Sequence, residues 1–344
     1  MRYQVVKSPT APSEAARLRR VSATPAVADL RVRRHFGDRF GDGALFGLTV
    51  AASLVAMALI IAIIYQVING ASLAISTYGL SFLGHTTWNP VTNTFGAASL
   101  IYGTLVTSGG ALLLAAPLGI AIGLFLSLLA SPRIGAVIGP LVELLAAIPS
   151  VILGLWGIVI LGPFLRSSIE PGLHSGLGWI PLFGQPSLTG LGLFTAILIL
   201  TIMALPIIAS ITRDLFLSVA PELKDGALAL GVTRWEMVRG VVLSSTRPGI
   251  ASACILGLSR ALGEAIAVLQ VIGGGSQSLI HGNLFANGDT LASRIASQIL
   301  DNVTKLQTPS VFYLALILLV IELIVNLAAR WIVHHYRLPD QAAT

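Results

Sequence analysis

Charge is what this sequence has least of: only 10% of its 344 residues are Asp, Glu, Lys or Arg, against about 25% in an ordinary soluble domain. That deficit excludes a water-soluble globule, and a chain disordered throughout is excluded with it. Cysteine is nearly absent. Cys254 stands alone in an apolar run, so no disulfide forms within the chain and a disulfide-stapled secreted scaffold is ruled out. Lysine occurs only at Lys7, Lys224 and Lys305, none preceded by glycine. The GxxxxGK[ST] loop that cradles nucleotide phosphates is therefore missing, and the chain is not an ATPase. The histidines, at positions 35, 85, 174, 281, 334 and 335, do not cluster with carboxylates at ligand spacing, so no metal site is expected. HExxH and paired nucleophile and base are likewise missing, which argues against an intramembrane enzyme.

What is present is apolar. Hydrophobic residues make up 55% of the chain and the mean hydropathy is +0.85, too much apolar surface for one core to hide, so lipid is the solvent for most of the sequence. Six apolar runs follow, at about 45–69, 99–129, 135–164, 189–212, 250–273 and 311–335. Each is long enough to cross about 30 Å of hydrocarbon as a helix. Lipid offers the backbone no hydrogen bonds, so the fold class is all-α polytopic with six transmembrane helices. Pro117, Pro149 and Pro206 fall inside the runs and predict bends. Gly119 and Gly123 predict close helix approach.

Orientation follows from the basic residues. Residues 1–43 hold nine of them, Arg133 lies in the second connection, Arg213, Lys224, Arg234, Arg239 and Arg247 in the fourth, and Arg330 and Arg337 at the end. Only Arg166, Arg294 and Lys305 fall on the other side. The positive-inside rule places both termini in the cytoplasm. The expected organisation is a basic cytoplasmic arm over 1–43, a transmembrane domain over 44–336 with a cytoplasmic loop at 213–249, and a short tail over 337–344. Connections around Trp88, at 165–188 and at 274–310 then face outward.

The 213–249 loop parses by capping chemistry. Pro221 suits the first turn of a helix, Glu222 complements its dipole, and Gly231 supplies a left-handed stop. Thr233 followed by Glu236 is a capping box, so a second helix carrying Trp235, Met237 and Val238 begins at once. Two short helices joined at a glycine make a docking element for a soluble partner, or else an interfacial helix on the headgroups.

Here the chain resembles a known family. The run from Lys224 through Asp225, Gly226 and Ala227 to Gly231 resembles the EAA signature of inner-membrane permeases of binding-protein-dependent ABC importers. Asp225 and Gly226 replace the family's Glu and first Ala, and Ser244 stands where a proline often ends the motif; Ala227, Gly231, Val241 and Leu243 fit. The segment Leu258 to Val268, with Arg260, Ala261, Gly263 and Glu264, looks like the Arg-Ala-x-Gly-Glu stretch of phosphate permeases, and Glu143 to Gly157, ELLAAIPSVILGLWG, like their third helix. The resemblance is to PstC-type phosphate permeases and runs from about residue 38 onward. It implies a type I ABC importer permease fold in the bacterial cytoplasmic membrane. It also implies the partners: a sister permease subunit (PstA-like), a cytosolic ATPase dimer (PstB-like) that binds the ATP, and an extracytoplasmic phosphate-binding protein (PstS-like). This chain then carries no cofactor and meets no nucleic acid. The residues at Asp225, Gly226, Ala227, Gly231 and Trp235 correspond to the loop that couples to the ATPase.

Four ionisable side chains fall within the apolar runs: Glu143, Arg260, Glu264 and Glu322. Each costs about 2.5–3.5 kcal/mol at a helix centre, so each needs a partner, a water-filled cavity or a task. Arg260 and Glu264 are four apart, on one face of the fifth span. A guanidinium is a planar, permanently charged donor fork suited to a dehydrated oxyanion, and Glu264 can hold it while the pathway is empty. The alternative is a purely structural ion pair. The resemblance ties both residues to translocation. Glu143 is expected to pair with Arg260 or to lie at headgroup level, and Glu322 has no assigned role. Competing readings are a secondary anion transporter, for which no inverted repeat of broken helices is detected, a permease for sulfate or molybdate, and the sister phosphate subunit.

Overall fold

A computed structural model describes residues 36–274, 280, 282–299 and 304–335. The basic arm up to residue 35, the tail over 337–344, and His35 and His281 lie outside the described residues. Helix α1 runs Phe36–Tyr78. The chain divides into two compact units between Ala62 and Ile63, and the packing described next is internal to the second. Six helices among the described residues are long and apolar enough to cross a membrane.

After α1 comes a small hairpin, β1 (Trp88–Asn89) antiparallel to β2 (Thr94–Phe95), with Trp88 opposite Phe95. Trp88, Phe95, Phe82, Leu100 and Tyr313 form an aromatic-rich core at this end, where Phe82 stacks on Tyr313 with centroids 4.6 Å apart. Helix α2 (Ala98–Leu124) packs along α5 (Leu193–Ser218); α3 (Pro132–Ala147) and α4 (Ser150–Trp156) come between the two in chain order. The expected close approach is there: a Cβ on Gly119 would sit 2.8 Å from Ile208 Cγ2, and one on Gly123 would overlap Thr212 Oγ1. Helix α5 is the central element, with 61% of its most apolar stretch buried. Apolar side chains on other helices, such as Leu113, Val159 and Leu323, are more than half exposed, as lipid solvent requires.

Two apolar runs depart from the continuous helices expected. The third, predicted over 135–164, is cut at Ile148 and Pro149. Proline lacks an N–H and its ring drives the preceding residue into extended backbone, and Ile148 has ψ 125°. The membrane-length segment is instead 150–177, in which α4 continues helically to Leu177, so the predicted 165–188 connection shrinks to the residues beyond it.

The fifth run, predicted over 250–273, is likewise cut. Helix α8 (Leu243–Gly263) stops at Glu264, whose ψ is 116°, and α9 (Ile266–Val271) resumes the path. Upstream, α6 (Pro221–Ala229) is followed by α7 (Arg234–Met237), which passes through a π turn at Val238–Val242 directly into α8. The 213–249 loop is thereby shortened at both ends: α5 reaches Ser218, and 234–263 forms one membrane-length segment. Arginines 234, 239 and 247 marked a polar boundary in the sequence, but nothing breaks the helix there. Chain order closes with α10 (Leu291–Gln298) and α11 (Gln307–His335).

The half-helices α4 and α9 pack on each other. A Cβ on Gly154 would overlap Gln270 Oε1, and one on Gly157 would come within 2.5 Å of Val271 Cγ1. Two of the three stretches that carried the family resemblance, 143–157 and 258–268, are thus places where a membrane helix is interrupted.

Candidate functional site

Arg260 sits in the last turn of α8, and Glu264 caps its end. The pair forms, with Arg260 Nη2 3.4 Å from Glu264 Oε2. The geometry differs from two positions on one helix face: Glu264 lies past the helix end, and its Oε1 is 3.5 Å from the Ala267 N–H in the first turn of α9. The Glu264 side chain is 7% exposed and that of Arg260 47%. A charge-assisted N–H···O contact is normally about 2.7–2.9 Å, so the guanidinium is held loosely by a fixed carboxylate. Interrupted backbone at membrane depth is tolerated where it is buried in protein or lines a water-filled cavity. The chemistry available is that of a half-exposed, permanently charged donor fork.

Gly263 lies between the two. Glu322 Oε1 in α11 is 3.5 Å from the position a Gly263 Cβ would take, which brings Glu322 to the same break. One turn along, Ser259 donates to Asn326 Oδ1 at 3.1 Å and fixes α11 against α8. Glu143 is not part of this group. It accepts from Arg213 at 3.1 Å, because the Pro149 break detaches α3 and leaves Glu143 beside the end of α5, so the expected pairing with Arg260 is corrected to Arg213.

At the 219–233 turn the capping reading holds in detail. Pro221 occupies the first turn of α6 with Glu222 beside it, Gly231 has φ +86°, and Thr233 and Glu236 form the reciprocal capping box. Lys224 Nζ donates to the Phe216 carbonyl at 2.9 Å, tying α6 to the end of α5. Ala227 packs against a small core of Phe216, Val219, Met237 and Val242. Asp225 and Gly226 are exposed, and Leu230 and Trp235 expose 86% and 65% of their surface. The element presents apolar side chains outward from a braced base.

Sequence reasoning missed two buried carboxylates. Glu170, 1% exposed, accepts from the Ser187 N–H at 2.9 Å. Asp289 pairs with Arg294 at 2.6 Å, with the two side chains 5% and 8% exposed. Asp289 Oδ1 also accepts from the Thr290 N–H at 2.8 Å and from the Ser293 hydroxyl, and the Arg294 guanidinium lies 5.7 Å from the Trp88 ring centre. Burial pushes the Asp289 carboxyl above its usual range, against the opposing pull of Arg294 and these donors. The only available sequence signal was the Thr290 to Ser293 cap spacing, which does not disclose Trp88 as a neighbour.

Comparison with known proteins decides the family. Residues 119–338 match the family described as binding-protein-dependent transport system inner membrane component. The chain belongs to that family. It is 42% identical over 90% of its length to the phosphate transport system permease protein PstC of Mesorhizobium japonicum, covering 95% of that protein. It is 38% identical to the PstC of Haemophilus influenzae over 87% of this chain and 95% of that one. The fold is shared with a bacterial alginate ABC transporter solved with an alginate pentasaccharide-bound periplasmic protein, at 19% identity, TM-score 0.57, and coverage of 84% of this chain and 95% of that one. A second alginate transporter structure gives TM-score 0.53 at 19% identity, over 86% of this chain and all of that one. The protein is therefore a multi-pass membrane permease of the ABC-transporter class, which sets aside the secondary-transporter reading.

Proposed function

We propose that this chain is a permease subunit of an ATP-driven importer that moves inorganic phosphate across the bacterial cytoplasmic membrane. The observation that carries this reading is the loosely paired, half-exposed Arg260 at the α8 break, in a chain 37–42% identical to proteins named phosphate transport system permeases. Phosphate must shed water to cross, and a guanidinium replaces lost hydration with paired N–H donors. Glu264 neutralises Arg260 when no anion is present, and Glu322 adds a second acceptor at the same level.

The chain itself hydrolyses nothing and supplies the passage. Two cytosolic ATPase subunits dock on α6 and α7, using Leu230 and Trp235 and the open surface at Gly226, and their closure pulls on the base braced by Lys224. A sister permease completes the passage, and a phosphate-binding protein delivers the anion at the end bearing Trp88. Both termini are cytoplasmic. Sulfate and molybdate are the competing substrates.

The decisive test is labelled phosphate uptake in cells lacking this chain, complemented by wild type or by Arg260→Gln. The expected result is restoration by wild type alone. Uptake equal with and without the chain would remove phosphate as substrate, and full restoration by the variant would remove Arg260 from the path. Cysteines placed at Gly226 or Trp235 should cross-link to the ATPase; a lack of any proximity would remove the docking assignment.

A further inference from the structure

The ionisable side chains of the apolar runs are not all provided for. Glu143 pairs with Arg213, and Arg260 with Glu264. The Glu322 carboxylate takes part in no hydrogen bond or ion pair among the described residues, and neither of its oxygens is sealed in protein. An unpartnered carboxylate within a membrane span is costly and points to a pathway or a water-filled space. Its open side faces the α8 break. Helix α11 turns Glu322 and Asn326 toward α8: Asn326 Oδ1 accepts from Ser259, and Glu322 Oε1 lies 3.5 Å from the position a Gly263 Cβ would take. At 3.6 residues per turn Val320, Ile324 and Leu327 fall around the far side of α11, and these are the residues it exposes, by 47%, 59% and 56%. Gly263 has no side chain and is itself exposed, so the end of α8 leaves the carboxylate uncovered.

The donor and acceptor balance decides what fits. A guanidinium only donates, and an ionised carboxylate only accepts. Arg260, with 47% of its side chain exposed, brings open donors from α8, and Glu322 brings an open acceptor from α11. Glu264 is not that acceptor, since it is 7% exposed and already engaged by Arg260 and the Ala267 N–H. The ligand that satisfies both helices carries charged oxygens for Arg260 and one hydroxyl for Glu322. At neutral pH phosphate and arsenate keep at least one O–H, whereas sulfate and molybdate keep none. Sulfate would set lone pairs and negative charge against the carboxylate. A site that hydrogen-bonds a substrate's hydroxyl rejects the analogue lacking it far more strongly than a site that sorts by size, and sulfate and phosphate are nearly equal in size.

We infer that Glu322 is the specificity-determining residue of the passage: Arg260 engages the charged oxygens of the anion while the Glu322 carboxylate accepts from its hydroxyl, so that a protonated tetrahedral oxyanion is passed and a fully deprotonated one is refused. The inference rests on the function proposed above for the anion's meeting Arg260. It deepens that reading by placing the choice between phosphate and sulfate on one side chain of this chain.

The probe is phenylglyoxal, which labels open guanidinium groups, applied to the assembled transporter in nanodiscs and read at the Arg260 peptide by mass spectrometry. The binding protein is left out, so that its own selectivity does not enter. Inorganic phosphate and arsenate should protect Arg260 saturably, at concentrations at least about tenfold below that of sulfate, the worth of roughly one hydrogen bond to a charged group. Glu322→Gln removes the charge at nearly constant shape, and its amide donates to a sulfate oxygen, so the protecting concentrations of the two anions should converge. Glu322→Asp keeps the charge but withdraws it by one methylene and should retain only part of the preference. A merely structural Glu322 would alter the stability of the complex and leave the order of the anions as it was. Equal protection by phosphate and sulfate in the wild type, protection by neither, or a preference undiminished in Glu322→Gln, in a chain that restores phosphate uptake, would overturn the selector and leave the proposed function standing. Should Glu322→Gln fail to assemble, the Asp variant decides, and an undiminished preference there overturns the inference. A preference that collapses in Glu322→Gln, in a chain that restores no phosphate uptake, would keep the selector and sink the function.

Discussion

Two of the arginine and carboxylate pairs among the described residues are built in opposite ways. Asp289 and Arg294 are 2.6 Å apart with both side chains buried, braced by the Thr290 cap and by Trp88. Arg260 and Glu264 are 3.4 Å apart, and only the carboxylate is buried. The first pair spans one helix end in continuous, well-satisfied backbone; the second spans a gap where α8 has stopped and α9 has not begun. A buried, closely paired guanidinium is committed to holding its own surroundings together. A half-exposed one with a longer contact to its carboxylate keeps donors open to what lies beside it. The difference separates a pair that braces the fold from a pair with donors to spare.

The largest effect on uptake should come from Arg260→Gln, which removes the half-exposed charge. Phosphate uptake should fall by about tenfold or more, the loss of a bidentate charge-assisted contact, while the chain still assembles, since a half-exposed guanidinium supports little structure. Arg260→Lys sharpens the same point: a point charge on a flexible stem cannot reproduce the fork, and uptake should recover only in part. The largest effect on stability should be that of Arg294→Met, which strands a buried carboxylate. Thermal unfolding of the purified complex should show a loss of about 3–5 kcal/mol, and Asp289→Asn added to it should restore most of that. If Arg294→Met left stability intact while Arg260→Gln destroyed the fold, the assignment of the two pairs would be inverted.

What was legible in the sequence was the chemistry of near neighbours. Pro221, Gly231, Thr233 and Glu236 act on their own backbone within one turn, and they sit in the structure as the capping rules require. Six apolar crossings and the close approach at Gly119 and Gly123 were legible for a similar reason, since period and side-chain size are local. The breaks were not. Pro149 reads as a kink whether the helix bends or ends, and Glu264 interrupts a run with no proline at all, where Gly263 is the one weak helix former before the break and a lone glycine does not mark a stop. Glu143 found Arg213 instead of Arg260 because that choice depends on where the Pro149 break leaves α3. Trp88 and Arg294 meet across more than two hundred residues, a distance over which no motif speaks.

The packing that fixes the breaks gives a third prediction of intermediate size. Gly154→Val should push α4 from α9, because even the first carbon of a side chain would overlap the Gln270 amide. Overpacking of this kind costs about 1–3 kcal/mol, read as a lower unfolding temperature, and it should lower uptake as well by disturbing the Glu264 gap. Gly109→Val is the matched control, since nothing lies within 4 Å of the position its Cβ would take.

The smallest effect should be that of Glu143→Gln. Its pair with Arg213 has a good distance, 3.1 Å, better than that of Arg260 with Glu264, yet the side chains are 28% and 56% exposed and Arg213 Nε also lies 3.5 Å from Asp214. Removing Glu143 therefore leaves the guanidinium in contact with a second carboxylate at the end of α5. Exposed pairs are worth about 0–1 kcal/mol, and salt screens them within about 10 Å at 0.1 M, so stability should shift by under about 1 kcal/mol at low salt and by less as salt rises. Uptake should be unchanged. A deficit as large as that of Arg260→Gln would mean that distance, and not the setting of each pair in the helix framework, ranks these charges, and the distinction between buried and half-exposed arginines would have to be drawn again from α3.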